Sequence, residues 1–130
     1  MIRLKKRKYL MKTKLYLICT LLFIPLLSWG ADMVSPINFD PTPINKNKVI
    51  LFIKQNVKET YSQIGMDSES MLRMMEEEEL RCFKELTQVQ DIDLLKKVKR
   101  QYCEIGMCNY STIYMMYNEE VKASRRNLEW

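Results

Sequence analysis

Apolar side chains recur at helical spacing in four segments, near residues 47–64, 68–87, 91–105 and 109–127. Within each segment they fall three or four positions apart, which places them on one face of an α-helix. No proline occurs from Asn47 onward, so no residue of the kind that breaks a helix interrupts these segments. The pattern predicts an all-α domain over residues 47–130.

The segment before this domain has a different composition. Residues 31–46 contain Pro36, Pro41 and Pro43 and show no helical or strand periodicity. Prolines clustered in this way are typical of loops and extended chain. We expect an extended N-terminal arm or linker here.

The helical domain contains an internal duplication. Residues 57–86 align without gaps on residues 98–127 at an offset of 41, with 11 identities in 30 positions. A fixed period of this kind indicates a repeated supersecondary unit. We assign repeat one to about 47–87 and repeat two to about 88–127. Each repeat is predicted to be a helical hairpin.

The best-matched part of the duplication is centred on a glycine, Gly65 in the first copy and Gly106 in the second. A glycine just past a helix end adopts the left-handed conformation of a Schellman cap and brings two flanking apolar residues together. Ser70 and Ser111 are then available to cap the helix that follows. Six residues are therefore predicted to build two structural turns: Tyr61, Gly65, Met66, Tyr102, Gly106 and Met107.

Two hairpins are too few for a solenoid, which needs at least three repeats. They can instead bury their apolar faces against one another. We predict a four-helix bundle built from two tandem helical hairpins after the N-terminal arm.

The segment 1–30 has the composition of a secretory signal peptide. Positions 1–14 contain seven cations and no acid, an apolar run from Leu15 to Leu27 follows, and Ser28 and Gly30 are the small residues that precede a cleavage site. The run is shorter than the roughly 20 apolar residues of a spanning helix. We expect cleavage after Gly30, or otherwise after Ala31, and translation starting at Met1 or Met11.

Removal of this leader changes the charge of the protein. All sixteen acids but only fourteen of the twenty-one cations lie after residue 30, so the mature chain has a net charge of −2. The basic character belongs to the leader, which leaves no argument for a nucleic-acid partner. We expect a periplasmic or secreted protein with no membrane span after signal cleavage.

Three cysteines remain after the leader, Cys82, Cys103 and Cys108. Disulfides persist in exported proteins, so one bridge is expected. Cys103 and Cys108 flank the predicted glycine turn, whereas Cys82 is too far away if the second and third helices are antiparallel neighbours. We predict a Cys103–Cys108 disulfide. Cys82 is then either a buried, apolar-like side chain or the link in a homodimer.

Two methionine pairs, Met74-Met75 and Met115-Met116, occupy equivalent positions in the two repeats. Methionine is an adaptable filler of both protein cores and partner-binding grooves, so these four residues are either core side chains or a possible partner-contact surface. The alternative is a Met/Cys-based Cu(I)-binding protein of the cell envelope, because soft sulfur ligands select Cu(I). The chain has no histidine and no Met-x-Met run, and we predict no resident metal or cofactor.

No catalytic motif is present. Histidine, the commonest general base, is absent, and there is no nucleophile elbow, phosphate loop or zinc spacing. The four consecutive acids Glu76–Glu79 point in different directions around a helix, which favours a solvated surface. We predict a protein that is not an enzyme and that acts by binding an unknown protein partner, as an adaptor, an inhibitor or a chaperone-like subunit.

Overall fold

The computed structural model describes residues 32–130, and the predicted signal peptide lies outside this range. Four α-helices make up its regular structure, with no strand in the described part of the chain, so the all-α class is confirmed. None of these helices is long and apolar enough to cross a bilayer. The helices are α1 (Pro43–Ser62), α2 (Glu69–Leu86), α3 (Ile92–Glu104) and α4 (Tyr110–Ala123).

The first helix begins at Pro43 and not near residue 47 as the sequence pattern suggested. Thr42 is its N-cap, with a side-chain oxygen that accepts the backbone N–H of Asn45 at 3.2 Å. Proline is favoured at the first helical position because its missing N–H would have no partner there. Pro43 therefore starts the helix where we had expected it to prolong the arm.

The caps of α2 and α4 are also displaced from the predicted positions. Ser68 accepts the N–H of Met71 at 3.4 Å, and Asn109 accepts the N–H of Thr112 at 2.8 Å. Ser70 and Ser111, which we had expected to cap these helices, lie within the first turn instead. The correct N-caps are thus two residues earlier in both hairpins.

The turns between α1 and α2 and between α3 and α4 have the same backbone geometry. Gly65 has φ 72° and Gly106 has φ 81°. The N–H of Met66 donates to the carbonyl of Tyr61 at 2.9 Å, and the N–H of Met107 donates to the carbonyl of Tyr102 at the same distance. Each glycine N–H also donates one turn back, at 3.2 and 3.1 Å. These are the two hydrogen bonds of a Schellman cap.

Three pairs of helices are in close contact: α1 with α2, α2 with α4, and α4 with α3. Within residues 32–130, α2 and α3 make no close contact, so the antiparallel arrangement assumed in placing Cys82 away from the other two cysteines is not present. Tyr117 holds their connection in place, because its hydroxyl oxygen accepts the backbone N–H of Asp91 at 3.3 Å.

Tyr110, at the start of α4, lies at the centre of the core. Its ring makes edge-on contacts with Phe52 and Phe83, with centroid distances of 5.4 and 4.9 Å. Edge-to-face aromatic pairs add to the stabilisation that comes from burial alone. The remaining buried apolar residues come from all four helices: Val49, Ile53, Val57, Cys82, Leu86, Leu95, Val98, Ile113 and Tyr117.

Residues 32–42 are outside any helix, but they are not a free linker. Met33, Val34, Ile37 and Phe39 pack against the core, and the carbonyl of Val34 accepts a hydrogen bond from the Tyr110 hydroxyl at 2.9 Å. The prolines of this segment prevent regular structure, whereas its apolar side chains are buried on folding. The segment therefore belongs to the folded domain.

Candidate functional site

A groove of about 410 Å³ runs between α2 and α4. Helix α2 contributes Glu78, Arg81 and Cys82 to it, and α4 contributes one side along most of its length. The α4 residues are Ser111, Thr112, Tyr114, Met115, Asn118, Glu119 and Lys122. The groove therefore has one wall from α2 and one wall from α4.

Each wall carries one ion pair. Arg81 Nη2 lies 2.6 Å from a carboxylate oxygen of Glu78, and Lys122 Nζ lies 2.7 Å from one of Glu119. Hydrogen bonds from these cations hold the pKa of both carboxyl groups below the usual value. The two pairs occupy equivalent positions in the two repeats, and each is neutral, so the walls present hydrogen-bonding groups without excess charge.

The floor of the groove is aromatic and sulfur-bearing. The Arg81 guanidinium lies 5.7 Å from the centre of the Tyr114 ring, a cation–π contact that orients both side chains. Cys82 is 1% exposed, and burial raises the pKa of its thiol to about 12. Cys82 is therefore a protonated, apolar-like side chain and not a nucleophile, because nucleophilic attack requires the thiolate.

Of the four methionines predicted to contact a partner, two are at the surface. Met74 and Met115 are 52% and 55% exposed, while Met75 and Met116 pack against the core. Met115 lines the groove, and Met74 precedes Glu78 by one turn on the same face of α2. A contact surface can include only the first member of each pair.

The expectation that the four consecutive acids Glu76–Glu79 are all solvated is wrong for Glu79. It is 7% exposed, and its carboxylate accepts the backbone N–H groups of Tyr110 at 2.7 Å and Ser111 at 3.3 Å. The Ser111 hydroxyl also donates to it. Glu79 thereby caps the first turn of α4 from a neighbouring helix.

The sequence contains one signal for this role of Glu79. Glu79 follows Met75 by four positions and precedes Phe83 by four, so it falls on the buried stripe of α2. An acid at such a position requires a partner. The partner, an unsatisfied helix N-terminus that is distant in sequence, is visible only in the fold.

The sulfur atoms of Cys103 and Cys108 are at disulfide distance, with Cα atoms 4.2 Å apart. The thioether of Met33 lies against them, 3.2 Å from Cys108 Sγ and 4.0 Å from Cys103 Sγ. Nothing in the spacing of the sequence predicted this contact of Met33.

Cys82 is the free cysteine of the described chain and is buried. Its burial corresponds to the expectation of an apolar-like core side chain. A thiol at that depth is not placed to link two chains.

Within residues 32–130, no group of three or more cysteine, aspartate or glutamate side chains is arranged to hold a metal ion. In the groove between α2 and α4, two ion pairs of the same kind, one from each helix, line one space. Comparison of the chain with protein-family models, with curated proteins and with solved structures gave no match.

Proposed function

We propose that this protein is an exported helical interaction module that binds a segment of a partner protein in the groove between α2 and α4. The observation that carries the proposal is the pair of equivalent walls, Glu78–Arg81 on one side and Glu119–Lys122 on the other. Export is supported by the leader-like composition of residues 1–30. The cysteine pair at disulfide distance is in keeping with it.

The chemistry of the groove fits a peptide segment with an apolar side chain. The exposed thioether of Met115 and the ring of Tyr114 form the apolar part, and methionine adjusts its shape at little energetic cost. Thr112 and Asn118 offer hydrogen-bonding groups to a main chain lying between the walls. Since each ion pair is internally neutralised, affinity should come mainly from apolar contact and depend only weakly on salt.

Photo-crosslinking in the producing cell tests the proposal. A photoreactive amino acid at Met115 should give a discrete crosslinked species that contains one protein, whereas the same amino acid at Lys58, an exposed position of α1, should not. The crosslinked protein is then purified and titrated against the wild type and Met115→Lys. We expect about fivefold or more weaker binding by the variant, because loss of a central, well-packed contact costs over ~1 kcal/mol.

The Lys58 position and the fold of the variant supply the controls. Met115→Lys changes an exposed side chain, so its circular dichroism spectrum and melting temperature should match the wild type. Equal crosslinking from Met115 and Lys58, or equal affinity of the two proteins for the captured partner, would reject the groove as the binding site.

The copper alternative has support from a different part of the molecule. Met33, Cys103 and Cys108 bring three sulfur atoms together, which are the ligands that Cu(I) prefers. We propose as a second function that the reduced form holds one Cu(I) here. A dithiol reductant first converts the disulfide to two thiols and is itself oxidised to a disulfide. Cu(I) then binds the two thiolates with release of two protons, and the Met33 thioether is the third ligand.

Titration against a colorimetric Cu(I) chelator tests this second function. The reduced protein should bind one Cu(I), the oxidised protein none, and Met33→Leu should bind about tenfold more weakly. Met74→Leu is the matched control, because it removes an exposed thioether of α2 and leaves Met33, Cys103 and Cys108 unchanged. Identical affinity of Met33→Leu and the wild type would eliminate the three-sulfur site.

A further inference from the structure

A second and larger cavity lies on the other side of α2, away from the groove. Its volume is about 530 Å³, within the roughly 300–1,000 Å³ range of small-molecule sites. The N-terminal segment, α1 and α2 each contribute two apolar side chains to its wall. These are Phe39, Pro41, Val49, Ile50, Leu80 and Phe83.

The apolar wall is held in place by the core. Val49 and Phe83 are buried, and Phe39 packs edge-on against Phe83 with ring centroids 4.9 Å apart. The N-terminal segment is itself anchored by the hydrogen bond from Tyr110 to Val34. The cavity is therefore part of the folded domain and not a gap beside a loose arm.

Two cations stand at the edge of this cavity. Lys46 of α1 and Lys84 of α2 both line it and are exposed. In the described part of the chain, neither has a carboxylate within salt-bridge distance. A neighbouring cavity of about 180 Å³ shares Ile50 and Leu80 with this one, and its charged residues are Lys54, Arg73, Glu76 and Glu77. An apolar interior with two available ammonium groups is complementary to a hydrocarbon chain that ends in an anion.

We infer that this cavity binds an amphiphilic carboxylate, such as a medium-chain fatty acid, with its hydrocarbon chain against Phe39, Ile50 and Phe83. The carboxylate lies between Lys46 and Lys84 at the mouth. Transfer of the chain out of water drives binding. The exposed lysines select the anion and add modest affinity, because ion pairs in contact with water are weak.

Displacement of a fluorescent probe tests the inference. Dansyl-labelled undecanoic acid should become more fluorescent when it binds the purified protein, and dodecanoate below its micelle concentration should displace it. Dodecanol, with the same chain and no charge, should compete several-fold less well. Absence of a fluorescence change, or equal competition by dodecanol and dodecanoate, would overturn the inference.

Variants locate the ligand in this cavity. Ile50→Trp fills the space and should abolish binding of the probe. The double variant Lys46→Ala with Lys84→Ala should weaken dodecanoate binding about fivefold to tenfold. Lys48→Ala with Lys58→Ala removes two exposed lysines of α1 that do not line the cavity, and it should bind as the wild type does. Equal losses in both lysine variants would show a general effect of net charge and reject the site.

Charge reversal gives a test that does not depend on tolerance of a large side chain. The double variant Lys46→Glu with Lys84→Glu should no longer bind dodecanoate. It should instead bind dodecyltrimethylammonium, which has the same chain with a cationic head. Failure to gain the cation would contradict a headgroup position between these two residues. The outcome is independent of partner binding, since the groove between α2 and α4 shares no residue with this cavity.

Discussion

The carboxylate of Glu79 in α2 accepts the backbone N–H of Tyr110, the first residue of α4, at 2.7 Å. The first N–H groups of a helix have no partner within the helix, and a negative charge is favoured at that end by the helix dipole. One buried side chain thus joins α2 to the first turn of α4.

Removal of this carboxylate should be strongly destabilising. Glu79→Ala leaves the N–H groups of Tyr110 and Ser111 without an acceptor in the interior, and we expect a loss of about 2–3 kcal/mol in the free energy of unfolding. Glu79→Gln keeps one acceptor oxygen and should lose about 1 kcal/mol. Urea denaturation followed by circular dichroism measures both.

Glu120 provides the matched control, because it stands at the position equivalent to Glu79 in the second repeat and is exposed. Glu120→Gln should change stability by no more than about 0.5 kcal/mol. Similar losses for Glu79→Gln and Glu120→Gln would show that the cap contributes nothing beyond a surface charge.

The titration of Glu79 predicts the direction in which the stability of the protein changes with pH. Burial, which outweighs the hydrogen bonds from Ser111 and Tyr110, raises the pKa of this carboxyl above 4.5. In the window above that value the folded state binds more protons than the unfolded state, so stability falls as the pH rises. The wild type should therefore lose stability relative to Glu79→Gln as the pH increases from about 4.5 through the raised pKa.

The change of stability with pH that Glu79 causes is opposite in sign to the change that the surface acids Glu78 and Glu119 cause. The pKa values of Glu78 and Glu119 are lowered by Arg81 and Lys122, so any stability they add is lost as the pH falls. Comparison of the wild type with Glu79→Gln cancels the contributions of these surface acids. Parallel stability curves for the two proteins across pH 4–7 would contradict a raised pKa for Glu79.

The helical fold could be predicted because its determinants are local. Apolar spacing and the two glycines determined the number of helices and most of their ends. The predicted stripe extended past the true helix ends, however, since Ile64 and Ile105 lie beyond the last helical residues and are exposed. Three of the four start positions were predicted to within one residue, and the first was missed because Pro43 begins its helix. The capping residues were less accurate, because Ser68 and Asn109 have other capping residues two positions away.

The candidate sites were predicted only in part, because they depend on contacts between distant segments. Met115 was predicted to be part of a partner-contact surface. The groove that it lines is formed by α2 and α4, which are paired in the fold and not adjacent in sequence. The contact of Met33 with Cys108 spans 75 positions. No spacing rule predicts such a contact, and the same holds for the cavity that the proline-containing segment completes.

Substitution of the glycine in either turn should be destabilising because of its left-handed backbone conformation alone. A Cβ atom at Gly65 or Gly106 would meet no heavy atom within 4 Å, so no steric clash is expected. The left-handed conformation nevertheless costs an L-residue about 1–2 kcal/mol. Gly65→Ala and Gly106→Ala should each reduce the free energy of unfolding by about that amount. The corresponding asparagine variants should lose less, and equal losses for alanine and asparagine would argue against this explanation.

The disulfide should stabilise the second turn by restricting the unfolded chain. A loop closed between Cys103 and Cys108, five positions apart, contributes about 2 kcal/mol in the chain-entropy account. Cys103→Ser with Cys108→Ser should therefore unfold at a lower urea concentration than the oxidised wild type. A reducing agent should lower the urea midpoint of the wild type toward that of the variant and leave the midpoint of the variant unchanged. An unchanged midpoint on reduction would show that the pair is not bridged in the native protein.

Counting accessible thiols tests the state of Cys82 directly. Cys82 is buried and its thiol pKa is raised to about 12, so iodoacetamide should not modify the native, oxidised protein at a measurable rate. In denaturant without reductant, mass spectrometry should show one modified cysteine in the part of the chain after residue 30. After reduction it should show three. Non-reducing electrophoresis should give a monomer, and Cys82→Ser should show no modified cysteine until the protein is reduced. Rapid modification of Cys82 in the native protein would mean that this residue is accessible, and it would restore the disulfide-linked homodimer as an explanation for its presence.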